Sequence, residues 1–149
     1  MRWQHLLPAA LLVLAACAND RPSVGPPAPS VSTAELLNTY WKLVRLGDQV
    51  IATPPGAREI HFVLHSGNPR VAGFSGCNPM MGNYVLNGDQ IKFDQVAGTL
   101  MACVPDMDLE RKFLAIFPRA ARWKISGETL RLLDDSGATL ATFDSVYLQ

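Results

Sequence analysis

Cys77 is the residue in this chain whose type and setting most suggest covalent chemistry. It lies in GFSGCNPMMGNYVLNG, Gly73 to Gly88, a stretch with four glycines, three asparagines and one proline. A cysteine nucleophile needs a base to form thiolate. Outside the N-terminal region, the histidines are His61 and His65. Both fall on the polar face of the run just before the loop, so the triad-like combination is sparse. The same histidines form a His-x-x-x-His spacing, which on a helix would bring two imidazoles to one metal. In a strand, four residues span roughly 13 Å at about 3.3 Å each. A shared ion is therefore not expected, and both side chains are read as facing solvent.

Other chemistries have less support. The glycines do not follow a phosphate-loop pattern, and no lysine occurs between residues 43 and 91. Asp106, Asp108 and Glu110 could suggest calcium, but no EF-hand spacing with a closing glutamate follows. They are read as charges favoured at a helix start. Two core cysteines without a nearby histidine supply half a zinc shell. No cofactor and no metal are expected.

The elements that would position these residues are mostly strands. Trp41 and Leu43 alternate with Tyr40, Lys42 and Val44. Residues 59–65 place Ile60, Phe62 and Leu64 on one face. Further short runs lie at 70–74, 83–86, 90–93, 122–125, 129–133 and 139–143. Asn87-Gly88-Asp89 and Ser126-Gly127-Glu128 suit tight turns. The spacing predicts a mainly β fold, at the margin α+β: an antiparallel meander curled into an incomplete barrel. One segment has helical spacing instead. Leu109, Phe113, Ile116 and Phe117 form a stripe, and Pro118 ends it, predicting one α-helix over about 106–117. Trp41, Phe62, Tyr84, Phe93, Phe113, Phe117 and Trp123 are expected in the core. Pro79, Met80 and Met81 are expected at an exposed loop tip, the one hint of a partner surface.

The N-terminus reads as a leader. The apolar run Leu6 to Ala16 has signal-peptide length and is too short to span a bilayer. It ends in Leu14-Ala15-Ala16-Cys17, which resembles a bacterial lipobox. That resemblance implies cleavage after residue 16 and acyl chains on Cys17, hence a membrane anchor. Ala18, rather than aspartate, favours the outer membrane by the same likeness, with the domain facing the periplasm. Residues 17–34 are rich in proline and serine and form a tether. Residues 35–149 then form one domain of ordinary size. Losing Arg2 leaves twelve basic against thirteen acidic residues, which gives no electrostatic case for nucleic acid. In an exported, oxidising setting, Cys77 and Cys103 are a candidate disulfide. Two buried thiols remain the competing reading.

Tyr40-Trp41-Lys42-Leu43, then RVAGFSGCNPMMGNY (70–84) and GTLMAC (98–103), carry a family likeness. In order and spacing the chain resembles the META domain family, which includes HslJ-type heat-shock lipoproteins. The matching positions are Gly73, Gly76, Cys77, Asn78, Gly82, Tyr84, Thr99, Met101, Ala102 and Cys103. The resemblance implies a small, mainly β domain with one helix. It also implies an envelope role linked to stress or drug tolerance. The expected function is a non-enzymatic, lipid-anchored, monomeric envelope protein that binds an unidentified protein or lipid. The alternative is a carrier or pilot for an acyl chain or apolar peptide, with a cavity under the helix around Phe113 and Phe117. A third possibility, an enzyme using Cys77, requires a free thiol.

Overall fold

The computed structural model describes residues 33–101 and 107–147. All of them lie in one compact unit, Val31–Gln149. The expected leader, the lipidated Cys17, most of the tether, and Ala102 and Cys103 lie outside the described residues.

Among the described residues, nine antiparallel strands follow the chain: β1 Tyr40–Leu46, β2 Gln49–Val50, β3 His61–His65, β4 Arg70–Phe74 and β5 Pro79–Asn87. They continue with β6 Gln90–Gly98, β7 Arg122–Ser126, β8 Thr129–Leu133 and β9 Thr139–Val146. One α-helix among the described residues, α1 Met107–Leu114, precedes a 3-10 turn at Phe117–Arg119. The sheet is a meander in which β1 also pairs with β9, so it curls round into a ring. Its weakest seam is between β6 and β7, joined by the single register pair Gln90↔Arg122. The mainly β, single-helix architecture follows the alternation in the sequence.

That alternation decides what points inward. β1 buries Trp41 and Leu43, β6 buries Ile91 and Phe93, and β8 buries Leu130 and Leu132. Phe62 is the aromatic hub. It meets Phe143, Phe117 and Phe93 edge-on, with centroids 4.9, 5.9 and 6.4 Å away. This geometry suits the positive edge and negative face of each ring. Phe143 belongs to this core although the sequence pattern did not single it out. Trp123, expected inside, is only half-buried and donates its indole N–H to the Gly88 carbonyl at 3.1 Å.

The helix is shorter than the predicted 106–117. Its ladder reaches Ala115 N–H on the Arg111 carbonyl (3.0 Å) and then tightens, Ile116 N–H bonding Phe113 (3.2 Å). Pro118, at the start of the 3-10 turn, has no N–H and cannot extend an α ladder. The turn nonetheless keeps Phe117 buried against Phe113, with ring centroids 5.3 Å apart.

Candidate functional site

The glycine-cysteine stretch is a strand, a four-residue turn and a second strand. β4 runs in register with β3, placing Gly73 opposite Phe62. A Cβ on Gly73 would lie 2.1 Å from the His61 carbonyl oxygen, so only glycine permits this approach. The turn closes where Ser75 N–H meets the Asn78 carbonyl at 2.8 Å. Gly76 takes φ +112°, a region closed to side-chain-bearing residues, with Ile60 against the space a Cβ would fill.

The turn therefore comprises Ser75 to Asn78, and Pro79, Met80 and Met81 are not its tip. They open β5, and strand alternation sends Met80 inward at 2% exposure while Pro79 and Met81 face out. Met80 is thus corrected from surface residue to core residue. Further along β5, Gly82 sits under Val96, whose Cα would lie 2.8 Å from an added Cβ. The Tyr84 hydroxyl donates to the His65 carbonyl at 2.9 Å.

Asn78, 2% exposed, organises the site. Its amide nitrogen donates to Glu110 Oε2 and to the Met101 carbonyl, both at 3.0 Å. Its amide oxygen accepts from the Thr99 hydroxyl (2.7 Å) and Met101 N–H (3.0 Å). Both donors and both acceptor positions of the amide are filled. Ser75 Oγ lies 2.5 Å from Glu110 Oε1, in the short range of charge-assisted bonds. One side chain thus ties the turn to the segment after β6 and to α1. Asn78, Thr99 and Met101 serve this one junction, Gly73 and Gly76 fit the preceding strand and turn against His61 and Ile60, and Gly82 and Tyr84 act elsewhere on β5.

Glu110 lies in the first helical turn, as its position in the sequence suggests, but it is not a surface charge. It is in fact 6% exposed and forms the helix side of the junction. The available signal was its position: it precedes Phe113 by three residues and Phe117 by seven, on the apolar stripe. Asp108 does behave as a surface charge, pairing with Lys112 (2.6 Å) and Arg111 (3.1 Å). The Lys112 contact foremost holds its carboxyl below the ordinary value. Asp106 lies outside the described residues.

The histidines do not form a site together. His61 was expected in solvent but is 7% exposed. Its ring stacks on Tyr40 with centroids 4.0 Å apart, and Nδ1 lies 2.9 Å from the Glu59 carbonyl. Burial lowers its pKa below the ordinary histidine value, opposed by that backbone bond. His65 is exposed at the other end of β3. Among the described residues, no cluster of three metal-ligating side chains occurs.

Cys77 is disulfide-bonded, and its partner lies outside the described residues, as Cys103 does. Its sulfur is 3.3 Å from the Met101 carbonyl oxygen. Beside the junction, α1 and β6 flank a groove of about 410 Å³ lined by Val96, Gly98, Leu100, Met101, Met107 and Leu114, with Asn78 and Glu110 also on its wall. A smaller cleft of about 240 Å³ lies between residues 51–58, Phe74 and Leu109. There the Arg58 guanidinium sits 4.5 Å over the Phe74 ring. Neither cleft is lined by Phe113 or Phe117, where an apolar cavity was expected. Those rings are 0% and 1% exposed and packed edge-to-face.

Together these features define a class: a small antiparallel β ring locked to one helix through a Gly-x-x-Gly-Cys-Asn turn. The chain belongs to the META domain family, whose sequence profile matches residues 34–147. A solved structure of a protein from Burkholderia xenovorans is similar, with 31% identity and a TM-score of 0.62. The match covers 76% of this chain and 85% of that one. A second solved structure, at 15% identity and a TM-score of 0.58, covers 73% of this chain and 90% of that one, and shares the fold. No curated protein matched. Among the described residues, no helix is long and apolar enough to cross a membrane.

Proposed function

We propose that this protein is a lipid-anchored envelope lipoprotein whose META domain is non-catalytic. Its role is binding or structural, in envelope integrity or in stress and drug tolerance. One observation carries the non-catalytic reading: the polar side chains of the motif are bonded to one another. Asn78 has its bonding capacity filled by Glu110, Thr99 and Met101. The Cys77 sulfur is already in a disulfide and is no nucleophile. We assign its partner as Cys103. That bond closes 26 residues, worth about 3 kcal/mol in the chain-entropy model. Peptide mapping without reduction should recover Cys77 linked to Cys103, and a free Cys77 thiol would revive the enzyme reading.

Anchoring rests on Leu14-Ala15-Ala16-Cys17. Acyl chains on Cys17 hold a monomeric domain at the membrane, and Ala18 directs it to the outer membrane, facing the periplasm. Metabolic labelling with palmitate should mark the wild type and not Cys17→Ala, with the label in the outer-membrane fraction. An unacylated mature protein soluble in the periplasm would refute the anchoring.

A carrier or pilot role is the second reading. The groove beside Met101 and Met107 favours it, at a different place from the one expected under Phe113 and Phe117. Binding of an apolar probe that perturbs Phe113 or Phe117 rather than the groove would count against that location.

A further inference from the structure

We propose that the groove between α1 and β6 binds a small cationic amphiphile, a primary ammonium on a short apolar chain, with Glu110 as its counter-ion. Glu110 is 6% exposed and lines the groove. An ionised carboxylate offers about four acceptor positions. Here two are used, by Ser75 Oγ at 2.5 Å and Asn78 Nδ2 at 3.0 Å. Both partners are neutral. The ion pairs among the described residues join Lys42 to Glu59, Arg111 and Lys112 to Asp108, and Arg119 to Asp134. None involves Glu110. The segment 102–106, Ala-Cys-Val-Pro-Asp, contains no basic residue that could complete the pair. Charges this deeply buried ordinarily have a partner of opposite sign.

The groove lets such a partner arrive. Gly98 also lines it, and a Cβ there would sit 3.3 Å from Glu110 Oε1. Glycine therefore places no side chain against Oε1 at this point of the groove wall. Above it, Leu100, Met101 and Met107 are 102%, 59% and 44% exposed, an apolar rim that water solvates poorly. Methionine side chains adapt to varied apolar shapes. The volume, about 410 Å³, falls within the roughly 300–1,000 Å³ of small-molecule sites. An anionic ligand is disfavoured, because the Arg111 guanidinium beside the groove already pairs with Asp108 at 3.1 Å, while Glu110 has no basic partner among the described residues. This assignment adds a ligand class to the binding role proposed above. It does not depend on acylation of Cys17, so either can fail while the other stands.

The test uses the full chain with carbon-13 methionine methyls, titrated with hexylammonium, hexanol and hexanoate at neutral pH. Hexylammonium should shift Met101 and Met107, leave core-buried Met80 unmoved, and bind at least tenfold more tightly than hexanol. Hexanoate should bind weakest. Glu110→Gln should erase the preference for ammonium over alcohol. Should that variant misfold, Gly98→Ala decides instead: it keeps the carboxylate, sets a Cβ 3.3 Å from Oε1 and should cost tenfold in hexylammonium affinity. Equal binding of the three probes, no shift at Met101 and Met107, or unchanged affinity in Gly98→Ala would overturn the proposal.

Discussion

Asn78→Asp replaces one amide nitrogen by an oxygen and leaves the side-chain shape unchanged. In the wild type that nitrogen donates to Glu110 Oε2 and to the Met101 carbonyl, each at 3.0 Å. In the variant, oxygen faces oxygen at that distance. Two carboxylates so placed repel by about 5 kcal/mol at an effective dielectric near 20. The pair escapes by taking up a proton, as like charges sharing a site do. Protonation costs about 1.4 kcal/mol for each pH unit above the unfolded carboxyl value near 4, so about 4 kcal/mol at pH 7. The native pKa of the pair is raised. Stability is therefore retained below the unfolded value and lost as pH climbs towards the native one. The Met101 bond, about 1 kcal/mol, is lost at every pH. Urea unfolding followed by fluorescence of buried Trp41 should show a loss of about 4–5 kcal/mol at pH 7, mostly recovered near pH 4.5. Asn83→Asp, on the exposed face of β5, serves as control. Adding Glu110→Gln to Asn78→Asp exchanges amide and carboxylate across the contact and should restore most of the pH 7 loss. A pH-independent cost equal to that of the control would refute the junction, since it would mean that Asn78 does not face the Glu110 carboxylate.

Three further outcomes follow from the packing. Gly73→Ala and Gly82→Ala put a Cβ 2.1 Å from the His61 carbonyl and 2.8 Å from Val96 Cα, so each should cost about 3 kcal/mol or more in urea unfolding. Gly67→Ala meets nothing within 4 Å and should stay within about 0.5 kcal/mol of wild type. Phe117→Ala should cost about 3–5 kcal/mol, because it removes a ring seated against Phe62, Phe93 and Phe113. His61 should titrate by NMR below the free value of about 6.5, since burial favours its neutral form. Wild-type stability should then fall as pH drops below about 6.5, and His61→Gln should flatten that slope.

Period-two alternation made the ring legible, because one buried face forces every second residue inward. Trp41, Leu43, Phe62, Leu64, Leu130 and Leu132 obey it. The misreadings share a physical origin: a position that local pattern assigns to solvent but that a distant segment covers. His61 alternates onto the outer face and is then covered by Tyr40 from β1. Glu110 is a first-turn acid whose burial shows only once the turn before β5 brings Ser75 and Asn78 against it, 35 and 32 residues away. Met80 followed a glycine-rich turn and was assigned to its tip. Whether Pro79 starts a strand or continues a turn depends on the pairing with Phe74, which composition does not reveal. Glycine needs were visible only as a cluster. Gly73 and Gly82 separate from Gly67 once the neighbouring backbones are in place.

The junction also bears on where function can reside. Residues that define the family likeness are occupied in folding: glycines for close approach, Asn78 for a filled set of bonds, Cys77 for a disulfide. Asn78 in particular cannot bind a ligand strongly without giving up a bond that holds α1 or the segment after β6 to the ring. The apolar rim is different. Leu100, Met101 and Met107 expose their side chains, and of these residues only the Met101 backbone takes part in the junction. A ligand in the groove could therefore be gained, changed or lost by substitution at the rim without unfolding the domain. Leu100→Ser should leave the urea midpoint nearly unchanged, because its side chain is already fully in solvent. If the groove is the working surface, the same change should weaken hexylammonium binding. A midpoint drop of more than about 1 kcal/mol equivalent would instead place Leu100 among the folding contacts.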